Sequence, residues 1–438
     1  MIGSKRKSET EHVAMGRVSR RSFIGGGAIA GASLVLPPFA AAAAKSAALP
    51  ENDASWEHLR AGFDLDPELT YLNTGTLGAL SRRVRETRAK AELDFAHDPA
   101  HFQVGALLDG VRRGLATLTS GDPDEIAITR NTTEGLNLFA SGLDLRPGDE
   151  VVLGSEEHNS AFGAYQGVER RAGIKIVQAK LAVGESLDRD AIVDAYRKAI
   201  TPRTRVLVAS QVAYRTGIAL PLKELAELAH SRGLLISVDG AQGFSVLPLN
   251  VRALNLDHYA APGHKWLLAG AGTGFTWVRR DLQARIRPTM GDYDPESRNA
   301  GDQTARRYEK TGQRNLTDLS GFADAIDAHA AIGTERIAAR IRELSARLRT
   351  GLHDLGIARI YTPSGAGLSA GITSFSLRDL PAQKVGDALR ARRVIVRVVP
   401  LGDEIGIRVS THFYNRPADV DRLLALLRDF AAKPALLG

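Results

Sequence analysis

A chain of 438 residues that is 44% hydrophobic and 24% charged has the makeup of a folded globular protein, with material for two or three packed units. It contains no cysteine, which excludes disulfides, thiolate metal sites, iron–sulfur clusters and every cysteine-nucleophile mechanism. The net charge of +7 is uneven: residues 1–44 hold six basic side chains against two acidic ones, leaving +3 for the rest and no cationic run for a nucleic acid.

Residues 1–44 read as a targeting leader. A basic stretch ends in Ser19-Arg20-Arg21-Ser22-Phe23, followed by a glycine-diluted apolar segment to Leu36, then Pro37-Pro38 and the run Ala40–Ala44. Fourteen helical residues rise only about 21 Å, short of the ~30 Å hydrocarbon core, so no stable membrane anchor is expected. Two adjacent arginines, the following Phe and low hydrophobicity resemble a twin-arginine export signal, which implies passage of the folded chain to the periplasm and cleavage near Ala42–Ala44.

Residues 45–84 form an N-terminal arm expected to serve a small domain and the active site. From 85 to 315, short β-branched runs alternate with amphipathic stretches. The runs are Glu125–Thr129, Glu150–Leu153, Lys175–Val177, Val206–Ala209 and Leu234–Val238, with helical periodicity at Leu222–Ala229. Apolar strands separated by helices predict an α/β domain with a mainly parallel sheet covered on both faces. After residue 316 the pattern changes. One long helical stretch (Leu316 to Leu355) precedes strands at Ile372–Leu377, Val394–Val399 and Ile405–Val409, with helices near 382–392 and 417–430, a smaller α/β unit to residue 438.

Ligands of open α/β sheets collect at the carboxyl ends of strands, and there the chemistry-bearing residues lie. Lys265 follows Gly263-His264 just beyond a short strand. Asp239 ends the apolar run Leu234–Val238, where a buried carboxylate needs a cationic or hydrogen-bonding partner. A lysine and an acid at two strand ends suggest pyridoxal phosphate, whose Schiff-base lysine and ring-nitrogen acid must be held close together. The segment Asn131-Thr132-Thr133-Glu134 breaks a strand into a helix with a capping-box pattern, and free N–H groups and hydroxyls there favour a dianion. His158, after the strand Glu150–Leu153, could lie over an aromatic ring.

Eight motifs in order, from Tyr71–Gly75 through Thr129–Asn137, Glu157-His158, Ser210–Gly217, Val238–Gln242, Gly263–Lys265 and Tyr308–Asn315 to Arg408–Asn415, resemble the class V aminotransferase family of fold-type I pyridoxal-phosphate enzymes. The flavour is that of the isopenicillin-N-epimerase-like group. The resemblance covers residues 56–438 and implies a seven-stranded, mainly parallel large domain, a C-terminal α/β small domain and a homodimer. It implies a Schiff base at Lys265, Asp239 at the ring nitrogen, Gln242 at the ring hydroxyl and His158 on the ring face. Thr132, Thr133 and His264 would hold the phosphate, Arg408 the substrate α-carboxylate, and Asn73, Tyr214 and Arg215 the substrate pocket. Three departures stand out. Pro262 replaces a common serine, Gln211 a common histidine, and Gln313 stands where the family's threonine reaches the partner subunit's phosphate.

Transamination of an amino acid or amino-acid-derived amine is the expected activity, since no second base is evident. Epimerisation, C–S or C–N lyase chemistry, and a cofactor-binding sensor without turnover stay open. The desulfurase branch does not, because its persulfide-forming cysteine has no counterpart. No HExxH or thiolate spacing points to a metal.

Overall fold

The computed structural model describes residues 53–100, 104–290 and 304–438; the leader lies outside the described residues. The central sheet has seven strands: β1 (Ile126–Thr129), β2 (Glu150–Gly154), β3 (Lys175–Ala179), β4 (Thr204–Ser210), β5 (Leu235–Asp239), β6 (His258–Pro262) and β7 (Gly274–Val278). Their order is β1-β7-β6-β5-β4-β2-β3, and only β7 runs antiparallel to its neighbours. The chain is therefore the α/β, mainly parallel fold that its alternation of strands and helices predicts. Most central strands are buried along their whole length, as expected of a sheet covered on both faces.

Helices α1 (Arg82–His97), α2 (Thr132–Gly142) and α3 (Asn159–Ala172) each begin at a side-chain cap, namely Ser81, Asn131 and His158. The Asn131 carboxamide oxygen takes the Glu134 N–H at 2.9 Å. The other half of the capping box is not made, because the Glu134 carboxylate turns back to the Arg130 N–H and guanidinium.

The long helical stretch predicted over Leu316–Leu355 is two helices, α4 (Leu316–Ile332) and α5 (Thr334–Asp354). Gly333 breaks it with φ of +91°, a conformation that costs glycine little. The break redistributes the domains. Leu319, Phe322, Ala325 and Ile326 of α4 pack into the core of the large sheet, so the C-terminal layer starts with α5 rather than at residue 316.

That layer holds β8 (Ala358–Ile360), β9 (Ile372–Leu377), β10 (Arg397–Leu401) and β11 (Glu404–Ser410), in the antiparallel order β10-β11-β9-β8. Helices α5, α6 (Ala382–Ala391) and α7 (Pro417–Ala432) supply Leu348, Leu389 and Leu427 to a second core with Phe375 and Val409 of the sheet. The run Val394–Val399 is divided. Val394–Ile395 pairs in parallel with Thr70–Tyr71 of the N-terminal arm, while Arg397 onward belongs to β10. The arm thus crosses from the C-terminal layer to the carboxyl edge of the large sheet, where Gly78 N–H donates to the His264 carbonyl at 2.8 Å.

Candidate active site

At that carboxyl edge lies a cleft of about 340 Å³ lined by residues of both layers, among them Thr132, Thr133, His158, Tyr214, Lys265 and Arg408. A larger groove of about 750 Å³ runs along the C-terminal sheet beside Pro381, Val398 and Ile405. Its only ionisable lining residues are the carboxylates Asp379 and Glu404, whereas the smaller cleft joins a lysine, two histidines and two arginines to Asp239.

Lys265 follows β6 in a tight loop closed by the Ala269 N–H to Gly263 carbonyl bond at 2.9 Å. Burial lowers the Lys265 ammonium to about 8; Asp239 opposes that shift, and Arg408 and Arg397 add to it. Asp239, at the end of β5, is 3% exposed, and its Oδ1 accepts the Ala241 N–H at 2.8 Å. Burial raises its carboxyl, against that hydrogen bond and the lysine charge.

Behind Asp239 stands a second buried acid, Glu157. Its two oxygens accept the Ser210 N–H and hydroxyl, both at 2.7 Å, and Ser210 is the register partner of Asp239 across β4 and β5. Burial pushes Glu157 up to about 8, and the Asp239 charge pushes the same way. A protonated Glu157 leaves Asp239 as the carboxylate that faces the lysine.

His158 caps α3, its Nδ1 accepting the Ser160 N–H at 3.1 Å. Burial and the surrounding Lys265 and arginine charges lower it to about 4, so it is a neutral imidazole with its proton on Nε2. The Tyr214 ring meets it edge-on at 4.6 Å. Thr133 donates to Ser160 Oγ at 3.0 Å, which ties the start of α2 to the start of α3.

Arg408 of β11 is 2% exposed and has no carboxylate partner among the described residues. Its guanidinium donates to the Tyr214 carbonyl at 2.9 Å, Asn73 Oδ1 at 3.1 Å and Thr76 Oγ1 at 2.8 Å, while Nε is unpartnered. Burial lowers it to about 10, and the neighbouring Arg397 adds to the shift. A buried cation satisfied only by neutral acceptors is suited to an incoming carboxylate.

The structure brings together Lys265, Asp239, Gln242, His158, Thr132, Thr133, His264, Tyr214 and Arg408 as cleft residues, with Asn73 behind Arg408. Gln242 is more committed than expected: Nε2 donates to the Gly75 carbonyl and Oε1 accepts the Trp266 indole N–H, both at 2.8 Å. Two of the expected residues are elsewhere. Arg215 does not line the cleft; it lies over the Tyr214 ring, donates to the Ser155 carbonyl at 3.1 Å and approaches Glu156. Gln313 is exposed and does not line the cleft of its own chain. Three residues that sequence reading missed are Arg397, Thr76 and the proton-holding Glu157.

The residues fit pyridoxal phosphate. Thr132 Oγ1 and His264 Nδ1 are buried cleft atoms with no partner, and the free N–H groups that begin α2 lie beside them. That donor set suits a phosphate dianion, with the Lys265–Asp239 pair available for the ring.

The profile of the Aminotransferase class-V family matches residues 90–423. The chain belongs to that family. It is 34% identical over 395 residues to isopenicillin N epimerase of Amycolatopsis lactamdurans, covering 86% of this chain and 99% of the epimerase. Among solved structures it is similar to a mutant of C-DES with glycine covalently linked to the PLP cofactor, with a TM-score of 0.75 and 26% identity over 84% of this chain and 99% of that one. It is also similar to the cysteine desulfurase CsdA of Escherichia coli, with a TM-score of 0.76 and 25% identity over 86% and 98%. The fold is therefore fold-type I, and pyridoxal phosphate is the cofactor of this class V enzyme.

Proposed function

We propose that this class V enzyme transaminates an amino acid or amino-acid-derived amine, with Lys265 as the residue that carries the cofactor and moves the proton. The observation that carries this reading is the pairing, in one cleft, of a buried lysine lowered to about 8 with a buried arginine that lacks a carboxylate.

When bound, pyridoxal phosphate supplies an electron sink for the charge left when a bond to Cα is broken. The chain's own residues do the rest. Arg408 binds the α-carboxylate through a planar fork already oriented by Asn73, Thr76 and Tyr214. Lys265 Nζ, uncharged in a useful fraction of molecules near neutrality, removes the α-proton and returns it. Asp239 would face the ring nitrogen and favour its protonated form, and Glu157, raised to about 8, retains its own proton near neutrality. Thr132, Thr133 and His264 hold the phosphate end. Of the two imidazoles in the cleft among the described residues, His264 belongs to the phosphate end, and His158 holds its proton on Nε2 and is poor at accepting another. One effective base at Lys265 favours transamination over inversion at Cα.

The epimerase relative supports a second reading, proton return to the opposite face of Cα. The two separate cleanly. Purified protein should show the visible band of lysine-bound cofactor, and Lys265→Ala should lose it. A panel of amino donors should then yield the pyridoxamine form and a keto acid. Inversion of the donor in deuterated buffer with no keto acid would instead establish epimerisation.

The leader and the family resemblance support two further proposals, export of the folded chain to the periplasm by the twin-arginine machinery and assembly as a homodimer. Cell fractionation of an Arg20→Lys, Arg21→Lys variant tests the first, since the cofactor-loaded chain should then stay in the cytoplasm. Sedimentation of the mature chain tests the second.

A further inference from the structure

Arg397 is the residue in the cleft for which the reading above has no use. Its position is fixed by a hairpin. The two residues Gly402-Asp403 join β10 to β11, with Gly402 at φ of +65° and Leu401 paired to Glu404. Counting back along that register sets Arg397 directly opposite Arg408, on the same face of the sheet. Both arginines reach the Thr76 hydroxyl, Arg408 at 2.8 Å and Arg397 at 3.5 Å.

Like charges directly opposite each other on a sheet are unfavourable unless an anion joins them. Neither arginine has an Asp or Glu partner among the described residues. Nearby arginines of the same layer do: Arg393 pairs with Asp66 at 2.5 Å, and Arg359 pairs with Glu404. Arg397 and Arg408 are the two arginines that line the cleft, and neither is met there by a carboxylate. The two also differ in depth. Arg408 is buried, whereas Arg397 is exposed at the rim. One α-carboxylate on Arg408 neutralises the inner charge and leaves the outer one unmet.

We propose that the substrate carries a second anionic group at its far end, and that Arg397 receives it at the rim of the cleft while Arg408 holds the α-carboxylate. The substrate class is then an acidic amino acid, or an amino acid whose side chain ends in a carboxylate, sulfonate or similar anion. This rests on the assignment of Arg408 to the α-carboxylate. Arg397 acts here by binding and by excluding neutral side chains, and no chemistry is asked of it.

The test uses the full, cofactor-loaded protein and amine-free probes that cannot react. Glutarate is butyrate bearing a second carboxylate on its last carbon, so the two differ by that group alone. Calorimetric titration should show glutarate binding at least tenfold more tightly than butyrate, and Arg397→Gln should bring that ratio to about one. Arg397→Lys should restore part of it. In parallel, L-glutamate should perturb the visible cofactor band at lower concentration than L-glutamine in the native protein, and lose that advantage in Arg397→Gln. A glutarate-to-butyrate ratio near one in the native protein, or one that Arg397→Gln leaves unchanged, overturns the proposal. Arg408→Gln keeps the two readings apart: it should weaken both probes together. If it weakens neither, the amino-acid assignment of the site itself fails.

Discussion

Replacing Glu157 with Gln exchanges a buried carboxyl for an amide of nearly the same shape. The amide oxygen still accepts the Ser210 N–H, and the Ser210 hydroxyl, which donates to the native carboxyl, can turn to accept from the amide nitrogen. In the native chain burial holds the carboxyl at about 8 against an ordinary value of 4.5. The unfolded chain loses this proton as pH rises through the ordinary value, whereas the folded chain keeps it until about 8. Glu157 therefore leaves stability intact at acid pH, erodes it across that window, and costs a constant amount above it. The full window corresponds to about 5 kcal/mol, and relaxation around a buried charge brings the expected loss to roughly 3–5 kcal/mol. Urea unfolding of the cofactor-free protein measures it. Near about pH 5 the native chain and Glu157→Gln should agree within ~1 kcal/mol, and near about pH 9 the Gln form should be the more stable by ~3 kcal/mol or more. Titrating groups remote from Glu157 are common to both proteins and largely cancel. A difference that stays flat between those pH values would refute the buried proton, and with it the account of how Asp239 keeps its charge.

Burial of Lys265 predicts that capture of free cofactor by the apo-protein accelerates as pH rises through about 8, where the amine becomes neutral; an inflection near 10.5 would contradict it. In Gly78→Ala the new Cβ would lie 2.1 Å from the Lys265 carbonyl oxygen and 2.8 Å from Leu268, so backbone must move. A loss of about 2–3 kcal/mol in thermal or urea melts is expected, with weaker cofactor retention. Thr132→Val removes an unpartnered hydroxyl, so the cofactor-free chain should keep its stability within ~1 kcal/mol while dialysis strips the cofactor faster. Arg408→Lys should lower kcat/KM about a hundredfold by losing the planar fork, whereas Arg215→Ala, outside the cleft, should change it less than about threefold; equal effects would mean that the cleft is drawn wrongly.

The parts of the site legible in the sequence are those where one residue type ends an apolar strand. Asp239 and Lys265 are of that kind, because a charge at the end of a buried run must meet a partner or a ligand. Adjacent residues on a loop are harder. Tyr214 enters the cleft while Arg215 turns away to Ser155 and Glu156, a choice made by tertiary contacts that lie far off in sequence. The break inside the helical stretch Leu316–Leu355 was not legible because helical periodicity runs on through Gly333, although the faces on its two sides bury in different layers. Arg397 was within reach. A Gly-Asp pair between two β-branched runs marks a two-residue hairpin, and that turn alone fixes the register opposite Arg408. Glu157 was not, since its raised carboxyl depends on Ser210 and Asp239 from two other strands.

The crossing of the N-terminal arm has a consequence for the order in which the protein becomes functional. The groups proposed to hold the cofactor, from Thr132 to Lys265, are all synthesised by residue 265. The grip on a substrate carboxylate joins Asn73 and Thr76 to Arg408, and Val394–Ile395 clamps the arm beside it. Such contacts between distant parts of the chain form late, because the intervening loop must be closed before they are rewarded. A growing or partly folded chain can therefore assemble a cofactor cradle before it can select an amino acid, and loading and selectivity are separable in time.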